Sequence, residues 1–274
     1  METQANLAAL LQFYADAGAD EAIGDAPVNR VQSRRPHVPE KNAARAAVLP
    51  IMRAEKTESA PAAQAAESAP VAGAIEAMKE AETLAAGAET IEALKAAAQN
   101  FNGLALKRTA TQIVFADGNA KAGIMLVGDA PGTDEDRAGI PFAGASGQLL
   151  DKMLGAIGLS RAENVYIATI LNWRTPGNRA PTQEEIAISL PFIRRHIALV
   201  NPGLIVPVGG AAAKILLGKK EPVSRLRGKW FDYNGTPATV LFHPEYLLQS
   251  PQQKKPAWED LQMIRAKLKE LDLL

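Results

Sequence analysis

The sequence predicts an α/β fold, a three-layer α/β/α sandwich around a central, mostly parallel, four-stranded sheet. Two observations predict it. From Phe101 onward the runs GIMLV, VYIAT and LIVPV are apolar at nearly every position, as strands buried on both faces must be. Between them lie segments with apolar residues three and four apart, the period of helices that cross over between parallel strands. A chain of 274 residues, 47% of them hydrophobic, supplies one substantial core plus an extension.

Residues 1–24 read as a short amphipathic helix carrying Leu7, Leu10, Leu11 and Tyr14 at helical spacing. Residues 25–70 are rich in Ala, Pro, Glu and Ser and hold few large apolar groups to offset the entropy of ordering, so they read as a disordered linker. Residues 71–274 are expected to form the folded α/β domain. In it, Ile75, Met78, Leu84, Ile91 and Leu94 trace two helices broken near Gly87. ATQIVF then reads as a short strand followed by the turn ADGN, AGIMLVGD as a buried strand, and SGQLLDKMLGAIGL as a helix starting near Gly144 or Ser146. NVYIATIL is a strand, PTQEEIAISLPFIRRHIALV a helix opened by Pro181, GLIVPVG a strand, GAAAKILLG a helix, PATVLFHP a strand and KKPAWEDLQMIRAKLKELDLL the closing helix.

Composition excludes several chemistries. Without cysteine there is no disulfide, thiolate zinc site or cysteine nucleophile, and three histidines, His37, His196 and His243, make a multi-histidine metal site improbable. No metal or other cofactor is expected. No run of eighteen apolar residues exists and the N-terminus lacks the pattern of a secretory signal, so the expectation is a cytoplasmic protein with no membrane partner. The net charge of zero conceals an acidic first hundred residues and a basic remainder, which permits a basic face toward a polyanion.

Three segments carry the candidate chemistry. GDAPGTDEDRAGIPFAG, residues 128–144, follows the GIMLV strand and sets Asp129 among Gly128, Pro131 and Gly132, at the carboxyl end of a parallel strand where ligands bind in such folds. It lacks the spacing of a Walker or dinucleotide loop; an acidic surface loop that caps a turn is the alternative. In VLFHPEYLLQSPQQKKPAW, His243 leaves a strand end just before Pro244, placed to donate a hydrogen bond to an oxygen that gains charge, while Asp129 would orient water or support a developing cation. LNWRTPGNRAPTQEE holds Arg174, Asn178 and Arg179 on a semi-rigid loop suited to phosphate, or else is a solvated loop ending in a Thr182–Glu185 capping box. Downstream, Lys214, Arg225 and Arg227 belong to a basic stretch that would rim a nucleic-acid backbone.

Taken together, these segments resemble the uracil-DNA glycosylase superfamily, in particular its family 4, over roughly residues 75–274. The resemblance is carried by Gly128-Asp129-Ala130-Pro131-Gly132, by Glu135-Asp136, by Gly139-Ile140-Pro141-Phe142-Ala143-Gly144, by the run Ser146 to Asp151, and by His243-Pro244, Leu247-Leu248, Lys255 and Trp258 to Leu261. It implies cleavage of the N-glycosidic bond of deoxyuridine in DNA, with the base flipped into a small pocket. It further implies that Phe142 stacks on the base, that the backbone from Gly128 through Ala130, Pro131 and Gly132 meets its carbonyl edge, and that His243 favours the departing anion. Asp129, with Glu135 as second candidate, would position water or support the sugar. DNA with uracil or another deaminated base is the implied partner. Ser146, Arg174, Asn178, Arg179, Lys214, Arg225, Arg227, Tyr246 and Gln249 are the implied DNA contacts, with a wedge residue near Tyr246 to Gln249.

Two departures from that family carry their own expectations. Its four-iron, four-sulfur cluster is held by cysteines, and Phe101, Leu104, Trp173 and Ser189 stand at the matching positions, implying an apolar plug in the cluster's place. The asparagine that reads uracil is matched by Thr169, which lacks the amide's reach; with this loss, a catalytically weak DNA-binding or damage-sensing protein is the alternative function.

Overall fold

The computed structural model describes residues 72–274; the expected helix over 1–24 and the linker over 25–70 lie outside the described residues. Two helices open the described chain, α1 (Ala72–Gly87) and α2 (Ile91–Asn100), the second capped by the Thr90 side chain on the Ala93 N–H. There follow β1 (Ala116–Gly118), β2 (Ile124–Gly128), α3 (Thr133–Ala138), α4 (Gly144–Gly155), β3 (Val165–Thr169), α5 (Gln183–Val200), β4 (Leu204–Val208), α6 (Gly210–Leu217) and α7 (Val223–Leu226). The chain ends in β5 (Phe231–Tyr233), β6 (Thr236–Ala238), α8 (Pro244–Gln249) and α9 (Lys254–Glu270).

The sheet has six strands in the order β1-β3-β2-β4-β6-β5, which corrects the expected four. The four inner strands are mutually parallel, and a short antiparallel strand closes each edge. All five residues of β2, β3 and β4 are buried, and their side chains alternate between two cores, as the strand period of two requires. Met125, Val127, Tyr166, Ala168 and Ile205 face α1, α2 and α5; Ile124, Leu126, Val165, Ile167, Leu204 and Val206 face α4 and α9. Three layers result.

Both edge strands depart from the expectation for a physical reason. The segment 110–115 forms no ladder: the Thr111 N–H and hydroxyl and the Gln112 N–H reach the buried Asp136 carboxylate, and the Val114 N–H donates to the Asn172 carbonyl beyond the end of β3. Pairing begins only at Ala116, so part of the expected ADGN turn is the strand. At the opposite edge, ladder pairing of the expected PATVLFHP strand stops at Ala238, with a single further bridge from Leu241 to Val208. The unpredicted β5–β6 hairpin turns at Asn234 and Gly235, both with positive φ, and that Asn-Gly pair was the available signal.

Candidate active site

The carboxyl ends of β2 and β4 and the start of α8 meet at a cleft of ≈ 720 Å³. Asp129, Ala130, Pro131 and Gly132 line it from the loop after β2, Glu135 from α3, Ser146 from α4, Asn178 and Arg179 from the loop after β3, and His243, Tyr246 and Gln249 from the start of α8 onward. Leu248 also lines it, as do Thr133, Asp134, Thr175 and Glu245, which sequence reasoning had not singled out individually.

Asp129 leaves β2 and turns toward α6. Its Oδ1 accepts the Ala212 N–H at 2.6 Å, so the acid of one strand-end loop caps the helix that follows the neighbouring strand. Burial pushes its carboxyl up to about 6, against the N–H groups of Ala212 and Ala211 that favour the charged form. Gly209, with φ 108°, lies directly against this carboxylate where a Cβ would collide with it. A side chain at 209 would displace Asp129.

His243 is the N-cap of α8, and its Nδ1 accepts the Glu245 N–H at 3.3 Å. An accepting Nδ1 places the proton of the neutral ring on Nε2. Burial lowers the imidazole to about 4, so His243 is a neutral donor across the physiological range. The Phe142 ring stacks on it at 5.2 Å between centroids, 28° from parallel. Phe142 is only 4% exposed and packs against Gly128, where an added Cβ would lie 2.6 Å from its Cζ. It therefore underlies His243 and does not form the open wall of the cleft.

Phe142 adopts φ 51°, an unfavourable value for an aromatic residue, and Arg161 holds it there. The Arg161 guanidinium donates to the Phe142 carbonyl at 2.9 Å and to the Pro141 carbonyl at 2.7 Å, and it also pairs with Asp151 and Asp117. No periodicity marks Arg161; its role comes from contacts about twenty residues away in sequence.

Other expected site residues are committed elsewhere. The Glu135 carboxylate accepts the Gly132 N–H at 3.0 Å and lies 3.5 Å from the Ser146 hydroxyl, closing the loop as a capping residue. Thr169 is 4% exposed, and its hydroxyl donates to the Leu171 carbonyl at 2.7 Å; it does not line the cleft. Arg179 lines the cleft but forms a double contact with Glu185, at 2.8 and 2.6 Å, next to the reciprocal Thr182–Glu185 capping box. Arg227 is bound by Asp260 at 2.8 Å and by the Pro256 carbonyl, while Lys214 and Arg225 are exposed away from the cleft lining. Arg174 does not line the cleft and donates to Asn178.

A second, nearly closed site lies under the β3–α5 loop. Phe101, Leu104, Trp173 and Ser189 are all buried and converge with Phe192 around a void of only ≈ 10 Å³. The Phe101 and Phe192 rings lie 5.5 Å apart.

Comparison with known proteins fits this arrangement. The model of the uracil DNA glycosylase superfamily matches residues 115–262. The chain belongs to this superfamily. It is 36% identical over 163 residues to the type-4 uracil-DNA glycosylase of Thermotoga maritima, covering 58% of this chain and 84% of that protein. To the type-4 uracil-DNA glycosylase of Archaeoglobus fulgidus it is 38% identical over 167 residues, 58% of this chain and 83% of that one. A DNA polymerase of Bacillus phage SP01 is 30% identical over 151 residues, which span 55% of this chain and 16% of the polymerase. Superfamily membership supports a glycosylase-like activity in DNA repair, with DNA as binding partner. In this superfamily member the iron-sulfur cluster of family 4 does not fit: the four matching positions offer no sulfur donor, and their own side chains fill the space. Among the described residues, no group of His, Asp and Glu is arranged to hold a metal ion, and no helix is long and apolar enough to cross a membrane.

Proposed function

We propose that the protein hydrolyses the N-glycosidic bond of uracil in DNA, releasing the base and leaving an abasic site. The observation that carries this reading is that His243 and Asp129 line one cleft at the carboxyl edge of the parallel strands, the first as a neutral donor and the second as a buried acid. As the bond from C1′ to the base breaks, its electron pair passes to the ring and spreads onto the carbonyl oxygens. The His243 Nε2–H stabilises the charge collecting on one of them, while the Asp129 carboxylate supports the positive sugar and orients the water that adds to C1′. Because the leaving group departs as a stabilised anion, no acid is needed to protonate it. Phe142, locked by Arg161, fixes the His243 ring.

A second reading, a catalytically weak damage-binding protein, is favoured by one observation: the Thr169 hydroxyl is spent on backbone and offers the cleft nothing. A single-stranded oligonucleotide with one uracil, incubated with the protein and then treated with alkali, decides between them. Strand cleavage by the native protein and its loss in Asp129→Asn and His243→Ala support hydrolysis. Tight binding without cleavage supports the second reading. Within either reading the protein acts on DNA in the cytoplasm, as a monomer.

A further inference from the structure

We infer that Asn178 is the residue that reads the flipped base, selecting an exocyclic carbonyl oxygen over an amino group, and that Arg174 sets the orientation in which it does so. This rests on the glycosylase reading of the cleft. Asp129, Glu135, Ser146, Thr175 and Arg179, among the other polar side chains of the cleft, are already engaged. The Thr175 hydroxyl is 1% exposed and donates to the Arg179 carbonyl at 2.6 Å. The Ser146 hydroxyl is held by the Ala143 carbonyl and Glu135, Arg179 by Glu185, and Asp129 by the start of α6.

Asn178 is different because only one end of its amide is fixed. Arg174 Nε donates to its Oδ1 at 2.6 Å, while its Nδ2 reaches across the mouth of the cleft to the Thr133 Oγ1 at 3.5 Å, the outer limit of a hydrogen bond. Rotating the amide by half a turn would set its NH₂ against the guanidinium N–H, donor against donor, so Arg174 bars that state. The amide thus presents donors alone to whatever enters. The support is rigid: Trp173 is buried in the plug, Thr175 is buried behind the turn, and Gly177 and Asn178 hold consecutive left-handed conformations, φ 63° and 56°.

A donor at this place favours bases that carry oxygen where cytosine or adenine carries NH₂, which is the change that hydrolytic deamination makes. Asn178 thereby supplies what Thr169 does not. The selected class is the deaminated base: uracil foremost, with hypoxanthine carrying oxygen where adenine carries NH₂.

The test compares Asn178→Ala, Asn178→Asp and Arg174→Gln with the native protein, using single-stranded oligonucleotides that differ only in one uracil or one cytosine. Asn178→Ala should lower kcat/KM for uracil release by about 10- to 100-fold, the cost of one lost donor in a desolvated site. It should leave affinity for undamaged DNA and its salt dependence unchanged, because the amide touches the base and not phosphate. Asn178→Asp should shift binding preference toward the cytosine strand, and Arg174→Gln should narrow the native preference. A kcat/KM within twofold of native for Asn178→Ala, or an equal loss of affinity for undamaged DNA, overturns the assignment. If the native protein releases no base, the glycosylase reading fails by itself, and the binding arm still decides: a uracil preference lost in Asn178→Ala upholds base reading, and a preference unchanged or never present overturns it.

Discussion

The cleft and the plug lie at opposite ends of one loop, residues 173–182, and were treated in opposite ways by the chain. At the plug, Phe101, Leu104, Trp173 and Ser189 close the space to about 10 Å³, so packing holds the loop where cysteine ligands would otherwise tie it. At the cleft the chain tolerates ≈ 720 Å³ of open volume, a buried carboxyl raised to about 6 and a phenylalanine with positive φ. Such features lower stability and persist only where surrounding structure enforces them. Apolar packing anchors one end of the loop, whereas the cleft holds groups whose presence packing does not explain.

That contrast predicts that the two regions fail differently. Trp173→Ala removes a buried ring from the plug and should cost about 3 to 5 kcal/mol, read as a fall in the chemical-denaturation midpoint. Uracil release per folded molecule should fall less than tenfold. His243→Ala should do the converse, lowering kcat by roughly 100- to 1,000-fold, or about 2.7 to 4 kcal/mol in barrier, with a much smaller change in midpoint. A plug variant that abolished catalysis while leaving stability intact would erase the distinction.

The pH dependence sharpens it further. In the proposed mechanism Asp129 acts ionised, and burial raises it to about 6, so kcat should rise through pH 6 and level off above it. His243, lowered to about 4, stays neutral over that whole interval and adds no second limb there. Asp129→Asn should remove the limb along with most of the rate. In stability the sign is opposite: a carboxyl with a raised folded pKa contributes most below its unfolded value and loses that contribution as pH climbs through 6. Asp129→Asn should therefore flatten a decline between about pH 4 and 6. The smallest effect is expected at Ser189, where Ser189→Ala should shift stability by less than about 1 kcal/mol, since the aromatic groups fill the plug.

Much of this was legible in the residues themselves. The all-apolar strands and the 3.6-residue period gave the layers, because burial on both faces leaves no other solution for GIMLV or LIVPV. The sheet edges were not legible: the start of 110–115 is drawn off by Asp136, a carboxylate more than twenty residues away that intercepts the Thr111 and Gln112 N–H groups. The same limit applies at the site. Asp129 and His243 stand out by their position at strand ends, yet the docking of Asp129 on α6, the clamp of Arg161 on Phe142 and the diversion of Thr169 into backbone bonds are all long-range or backbone events. No local pattern encodes them.

The stripe of Ala77, Ala81 and Ala85 on α1 lets that helix settle closely on α5, the helix that carries Ser189 and Phe192. The superfamily model matches only from residue 115, so a protein trimmed to that boundary would lose this buttress together with Phe101 and Leu104. The matched segment and the folding unit do not share a border, and an expression fragment cut at the former would expose a raw apolar face and precipitate.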